Sequence, residues 1–527
     1  MNKAKLIMIG AISGLVLAVI VCLTCFILIP RIYYAYDKKT DSYYVKSVWG
    51  NSESYTIASS INGKPVTKIG DRAFYKMVLF VAVPIMVQNA ITNFVGLLDN
   101  IMVGRVGTEQ MSGVAIVNQL LMIYNLSIFG AISGAGIFGA QFFGCKDHKG
   151  VRHIFRFKVY ACLLITIVGA AILYFCGENL IMLYLHDEGG GQSLEAALLY
   201  GKQYLIVMIF GLLPFGVEQV YTSTLRECGE TVVPMKAGVA AVLINCVLNF
   251  VLIFGYVGFP KMGVIGAALA TCIARYVQAS IVIVWTHRHA EEVPFIQGGY
   301  ASPCIPLSLC RKVIVRGTPL IVNEILWSVG MASLMQCYSV RGLDAVAALN
   351  ISSTITNLFN IVFMAMGSAI SIIVGQLLGA GKLEEAKDTD TKLIAFSVGT
   401  CLVLGSIMYV CAPLFPALYN TSDSVKDLAA SFMRVAALTM PIHSFAHATY
   451  FTLRSGGKTF ITFLFDSVFL WCINFTTAYV LSRYTAMPIV TLYFICQFED
   501  IIKCIIGFVL IKKGIWLNNL VRSEKNA

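Results

Sequence analysis

Uninterrupted apolar runs of about 20 to 30 residues, the length that crosses a bilayer as a helix, recur along this chain. They lie at 6–29, 77–103, 114–142, 158–180, 203–223, 236–258, 263–286, 313–337, 348–378, 392–415, 428–452, 460–483 and 487–511. None shows the ten-residue alternation of a membrane barrel. Inside lipid a helix is then the arrangement that satisfies its own amides and carbonyls. The runs therefore predict an all-α polytopic membrane protein. Composition agrees: 57% of the 527 residues are hydrophobic and 13% are charged, against about 25% charged in soluble proteins.

The net charge of +11 does not point to nucleic acid, because no basic face is interleaved with aromatics. The cations gather between apolar runs instead. Lys146, Lys149, Arg152, Arg156 and Lys158 fall in 144–158; Arg288, Arg311, Lys312 and Arg316 fall in 286–317; Lys512 and Lys513 open the tail. The alternate loops 177–200, 339–346 and 416–430 are poor in Lys and Arg. Positive-inside bias assigns the first group to the cytoplasm, so the span from Met77 starts inside and Asp99 lies in its outer half. The 16 cysteines lie mostly within apolar runs, where they act as small hydrophobes rather than as a disulfide or zinc framework.

An internal repeat divides the chain. "PIMVQN" (84–89) aligns with "PLIVNE" (319–324) at an offset of 235, which also sets Ser133 on Ser368, Gln141 on Gln376 and Gly144 on Gly379. "LRECGET" (225–231) aligns with "LRSGGKT" (453–459) at an offset of 228. Two six-span lobes follow, twelve transmembrane helices in all, related by a parallel repeat about an axis along the membrane normal. The lobes occupy 77–290 and 311–527, joined by a cytoplasmic linker at 291–310.

Residues 1–76 stand outside this pattern. The apolar run in 1–30 is too long for a signal-peptide core and lacks a small-residue cleavage site, so it reads as one extra N-terminal transmembrane helix. Within the linker 31–76, "YTIASSINGKPVTKIGDRAFYK" resembles one unit of the leucine-rich repeats of bacterial surface proteins. One unit cannot bury its own apolar face, which predicts a loosely packed segment draped on the surface. Charge bias puts 31–76 inside, whereas such repeats belong at the cell surface.

Polar residues inside the runs are the candidate sites. A carboxylate facing lipid costs about 2.5 kcal/mol or more, so such groups face a cavity and do work, or are tied as structural acids near the interface. A low-dielectric setting favours the protonated acid and a bound cation favours the ionised one, an opposition suited to exchange. Asp99 is the first candidate, including for a sodium site. Asn245 and Asn249, four apart on one helix face, offer the oxygens that hard cations take, and Thr271 could add a hydroxyl; interhelical hydrogen bonding is the alternative role for all three. Glu324 is the second acid, and the repeat sets it on Asn89 rather than on Asp99. His443 and Trp327 are candidate cavity residues, the histidine as a titrating group and the tryptophan as a platform for flat cations. His447 shares a face with His443. Asp466, Glu218 and Arg275 lie in or near spans, and the spacing of Glu499 and Lys503 predicts a self-neutralising i, i+4 pair.

The stretches "VPIMVQNAITNFVGLLDNIMVGRVG", "LRECGETVVPM", "NCVLNFVLIFGYVGFPKMGVIGAALAT", "PLIVNEILWSVG" and "LRSGGKTFITFLFDSVFLW" resemble the multidrug and toxic compound extrusion (MATE) family. The likeness runs from about 77 to 520. It implies twelve helices in two lobes and cation-driven export of organic, often cationic, compounds. By the resemblance Asp99 matches the cation-site acid of the amino-terminal lobe and Glu324 that of the carboxy-terminal lobe. Asn249 stands where members often carry Asp, and His443 near a position where some carry an acid. An amide cannot carry a proton, so in this lobe coupling would fall to Asp99 alone.

The expectation is a secondary antiporter of the bacterial plasma membrane, working as a monomer by alternating access. It exchanges sodium ions or protons for small organic molecules, with no cofactor and no enzymatic chemistry. The absence of a Walker A motif argues that ATP does not power this chain directly. The alternative is a flippase for a lipid-linked saccharide on a related architecture, which would need a more basic cavity for phosphates.

Overall fold

Every apolar run from 77 onward is helical over most of its length in the computed structural model. It describes residues 31–521 except 38–41, 50–59, 62–63, 70, 105, 184–190, 257, 294, 301 and 420. For 31–73, 94–101, 104, 108, 191–193, 343 and 418 the backbone alone is described. The expected anchor helix at 1–30 lies outside the described residues.

The first half holds α1 (Asp71–Gly104), α2 (Thr108–Gly144), α3 (His148–Met182), α4 (Gly191–Phe210), α5 (Leu212–Glu227), α6 (Val232–Phe254) and α7 (Gly263–Arg288). The second holds α8 (Leu307–Ser339), α9 (Leu343–Gly379), α10 (Leu383–Cys411), α11 (Asp423–Ser455), α12 (Thr459–Tyr484), α13 (Ile489–Phe498) and α14 (Asp500–Lys512). Among the described residues nine helices are long and apolar enough to cross a membrane, or ten if α4 and α5 form one span. The two other long stretches fall short of that measure. α11 carries His443, His447 and Arg454, and α13 and α14, of 10 and 13 residues, are parted at Glu499.

The run expected as one span at 203–223 is bent by 46° between α4 and α5. Pro214 lacks an amide hydrogen and clashes with the carbonyl four residues back, which breaks the ladder there. Side chains take up the carbonyls at the break. Tyr276 Oη donates to Phe210 O at 3.2 Å, Arg275 Nη1 to Gly211 O at 3.2 Å, and Tyr124 Oη to Leu212 O at 2.9 Å. A broken helix at membrane depth is tolerated where protein groups satisfy it in this way.

The described parts of 31–69 are paired into a sheet, so the chain is not wholly α-helical. Strands β1 (Arg31–Asp37), β2 (Ser42–Trp49), β3 (Ser60–Ile61) and β4 (Lys64–Ile69) run in the order β1-β2-β4-β3. β1 and β2 are antiparallel, β2 and β4 parallel, and β3 and β4 antiparallel. "RIYYAYD" and "SYYVKSVW" are rich in the aromatic and β-branched residues that favour strands.

The linker after α7 is not free either. Arg156, read from the sequence as a loop cation, is buried and donates to Gly299 O at 2.6 Å, Gly298 O at 2.8 Å and Cys304 O at 3.2 Å. Phe295 is buried against Phe155, with ring centroids 5.2 Å apart. The linker is thereby fastened to the first half.

The halves meet where α2 packs on α8 and α9, and α1 on α9. Small residues allow close approach: a Cβ on Gly134 would lie 2.5 Å from the Cα of Gly317. Near their middles α2 and α9 expose Met122, Ile123, Leu358 and Met364. Toward their ends, through Phe138 and Phe142 on one and Ile370 and Leu378 on the other, they are buried. The ends lead into the loops that carry Lys146 and Lys382, so the seam is tightest on the basic side.

Candidate functional site

In the first half α6 and α7 bring three of the sequence candidates together. Asn249 Nδ2 donates to Asn245 Oδ1 at 3.0 Å, and Asn245 Nδ2 donates to Thr271 Oγ1 at 3.2 Å. Both asparagines are buried. The i, i+4 spacing put them on one face of α6, and the pairing of α6 with α7 sets that face against Thr271. Asp99 lies on α1, which packs along α6; its side chain is outside the described residues.

Glu218 on α5, an acid of the same half, is only 2% exposed. It accepts from Thr222 Oγ1 at 2.6 Å, Gln219 Nε2 at 2.9 Å and Gln278 Nε2 at 3.0 Å. These donors are all neutral.

Lys158 corrects the sequence reading outright. It was grouped with the loop cations, yet its side chain is wholly buried ten residues into α3. Its Nζ lies 2.6 and 2.7 Å from the two carboxylate oxygens of Glu227, and it also donates to Ser223 and Thr224. Gly136 and Gly139 on α2 make room for that carboxylate: a Cβ at either would lie 2.5 or 2.1 Å from its oxygens. Hydropathy averages over a window and cannot see that one cation of a basic cluster has rotated inward.

The second half holds the larger cluster of ionisable groups. His443 on α11 has Nδ1 3.0 Å from Asp500 Oδ2. Lys503 on α14, 8% exposed, lies 3.4 Å from Asp500 and 3.8 Å from Asp466. Asp466 Oδ2 in turn accepts from Asn323 Nδ2 at 3.0 Å, and Asn323 binds Ser467 through its Oδ1. Four helices, α8, α11, α12 and α14, thus contribute to one chain of contacts. Asp466 sits in the first of two π-helical stretches of α12, Leu464–Val468 and Leu470–Phe475. Such widened turns concentrate at functional sites because they re-aim side chains.

Glu324 follows Asn323 on α8, is half-buried, and has Arg454 and Asp466 as its charged neighbours. His443 joins the cluster through Asp500, whereas His447 packs among Phe363 and Phe451. Trp327 packs with the apolar group around Leu334 and Leu470. The expected Glu499–Lys503 pair is not what forms. Lys503 turns to Asp500 and Asp466, and Glu499 accepts from Asn474 Nδ2 at 3.4 Å. In "FEDIIK" both acids stand within one turn of the lysine, so spacing alone cannot choose between them; the rotation of α14 against α11 and α12 does. Asp500 is the residue the sequence reading missed. An acid beside a lysine inside an apolar run was the available signal.

Long apolar helices in two halves, meeting along a seam and holding ionisable groups inside, mark a polytopic membrane protein. The model of one family, MatE, matches the chain twice, over 84–251 and 319–480. The chain therefore belongs to the MatE family of membrane transporters. Both matches begin at the prolines that open the aligned repeats. Among curated relatives, "Probable multidrug resistance protein NorM" of Thermotoga maritima is 22% identical over 85% of this chain and 95% of its own length. "Multidrug resistance protein PmpM" of Pseudomonas aeruginosa is 25% identical over 78% and 84%. Solved structures share the fold. A point mutant of the Vibrio cholerae MATE transporter VcmN superposes with a TM-score of 0.75 at 15% identity, over 85% of this chain and 97% of that one. An outward-facing multidrug resistance MATE family transporter superposes at 0.74 and 19% identity, over 84% and 95%.

Proposed function

We propose that this chain is a secondary active antiporter that exports organic, often cationic, compounds across a bacterial plasma membrane in exchange for sodium ions or protons. Its twelve spans form two repeat-related lobes, with α11 and the α13–α14 pair completing the count, and the lobes work by alternating access. The observation that carries this reading is the chain of ionisable contacts His443–Asp500–Lys503–Asp466 inside an apolar bundle. Groups of this kind are expensive at membrane depth and mark ion pathways. Asn245, Asn249 and Thr271 supply a second polar site beside the helix that bears Asp99. The multidrug names of the bacterial relatives support the substrate class, and the flippase alternative draws no support from them. Tight packing on the basic side of the seam is what an outward-facing posture would present.

The test is export by everted membrane vesicles under sodium and pH gradients imposed separately. Asp99→Asn is expected to cut gradient-driven uptake of a fluorescent organic cation at least about ten-fold, by removing the ionisable member of its lobe's exchange site. Normal uptake in that variant would remove Asp99 from the coupling scheme. Glu324→Gln is expected to slow uptake as well, its acid standing beside Arg454 and Asp466 in the other lobe. A parent protein that responds to neither gradient would overturn antiport itself.

A further inference from the structure

The basic end of the seam is closed by two glutamines that cross it in opposite directions. Gln141, near the end of α2, donates from Nε2 to Ser455 O, the last carbonyl of α11, at 2.9 Å. Gln376, near the end of α9, donates from Nε2 to Glu227 O, the last carbonyl of α5, at 2.7 Å. Both pairs are repeat mates: Gln141 and Gln376 at the offset of 235, Glu227 and Ser455 at the offset of 228. Each half therefore caps a helix end of the other with the same residue. The last carbonyls of a helix lack intrahelical partners and need such donors.

Backbone contact accompanies the caps. A Cβ on Gly144 would lie 2.0 Å from Gln376 O, and one on Gly379 would lie 1.9 Å from Gln141 O. The chain's tail then threads the same place. Leu520 N donates to Gln141 Oε1 at 2.7 Å, Gln141 Nε2 also reaches Asn518 O at 3.2 Å, and Asn519 Nδ2 donates to Gly379 O at 3.0 Å. The fully buried Trp516 anchors the tail beside Gly456. One amide side chain is thus shared among α2, α11 and the tail.

We propose that Gln141 and Gln376, with tail residues 518–520, form a latch that holds the basic end of the seam shut and sets how often the halves part there. The inference rests on the alternating-access reading. Every bond in the latch joins neutral groups, and each can be exchanged for a bond to water at small net cost. Buried ion pairs across the seam would instead leave uncompensated charges on opening. Glycines at 144 and 379 let the helix ends meet without side chains that would have to be repacked at each cycle. The contacts suit a surface that closes firmly and opens repeatedly.

Hydrogen exchange on the purified full-length protein in lipid nanodiscs tests this. Gln141 is buried and Gln376 half-buried, but both stand at the seam rather than in the apolar core of a lobe, so each lobe should fold in Gln141→Ala and Gln376→Ala. Each is expected to speed exchange of the backbone amides in 516–521 by about ten-fold. Gln376→Ala is the sharper case, since Gln376 makes its bond to Glu227 rather than to the tail. The interiors of α6 and α12 should exchange as in the parent. Unchanged exchange in 516–521 in both variants overturns the latch, and so does a rise spread through both halves, which marks a general loss of folding. The measurement needs neither substrate nor gradient. A failure of the vesicle experiment would therefore sink the antiport reading while leaving this result to stand or fall separately.

Discussion

Replacing Lys158 with methionine is expected to destabilise the protein by about 3–5 kcal/mol, the usual result of removing one partner of a buried ion pair. The effect comes from what is left behind. Glu227 holds its carboxylate between Lys158 Nζ and the backbones of Gly136 and Gly139, and is 8% exposed. With the lysine gone, the hydroxyls of Ser223 and Thr224 could still approach, but no hydrogen-bonded cation would balance the charge. The carboxylate cannot swing toward α2, because the glycines already touch it. Adding Glu227→Gln to Lys158→Met should recover most of the loss, since removing both charges removes the desolvation cost along with the attraction. Heating the detergent-solubilised variants and measuring the monodisperse fraction by size exclusion would check both. A single variant as heat-resistant as the parent would refute the argument.

Asp500→Asn should reduce gradient-driven export at least about ten-fold while leaving the amount of protein in the membrane unchanged. The substitution keeps the shape of the side chain and removes the charge that joins His443 to Lys503. Lys503 would then face Asp466 alone, at 3.8 Å, and His443 would lose its acidic partner. A packing defect would instead lower the amount of protein in the membrane. Asp500→Glu should restore part of the rate. A variant with the parent's rate would dismiss the cluster as structural.

Much of the candidate site was legible as residue types. Asn245 and Asn249 were visible as a pair on one face because a four-residue spacing is nearly one turn, and Thr271 was named as a third member. The acids Asp99 and Glu324 were conspicuous against apolar neighbours. Partners were harder to read. Lys503 could have paired with Glu499 or Asp500, and Arg156 and Lys158 counted as loop cations until their helix was set against α5 and the linker. Asp466 gains its reach from a π-helical turn, which has no hydropathy signature. Nor does the pairing of β2 with β4 follow from the strand-forming residues of 31–69.

By itself the amino-acid sequence determined the class and the division of this protein. Lipid offers the backbone no partners, so each long apolar run from 77 onward became helical, and the matched positions at offsets of 235 and 228 fall within the two stretches that one family model matches. Only the tertiary structure decided which buried polar groups meet. Helix rotation and the approach of segments hundreds of residues apart select those partners. Gln141 meeting Ser455, and Gln376 meeting Glu227, depend on how the two halves dock, and no local pattern along the chain encodes that.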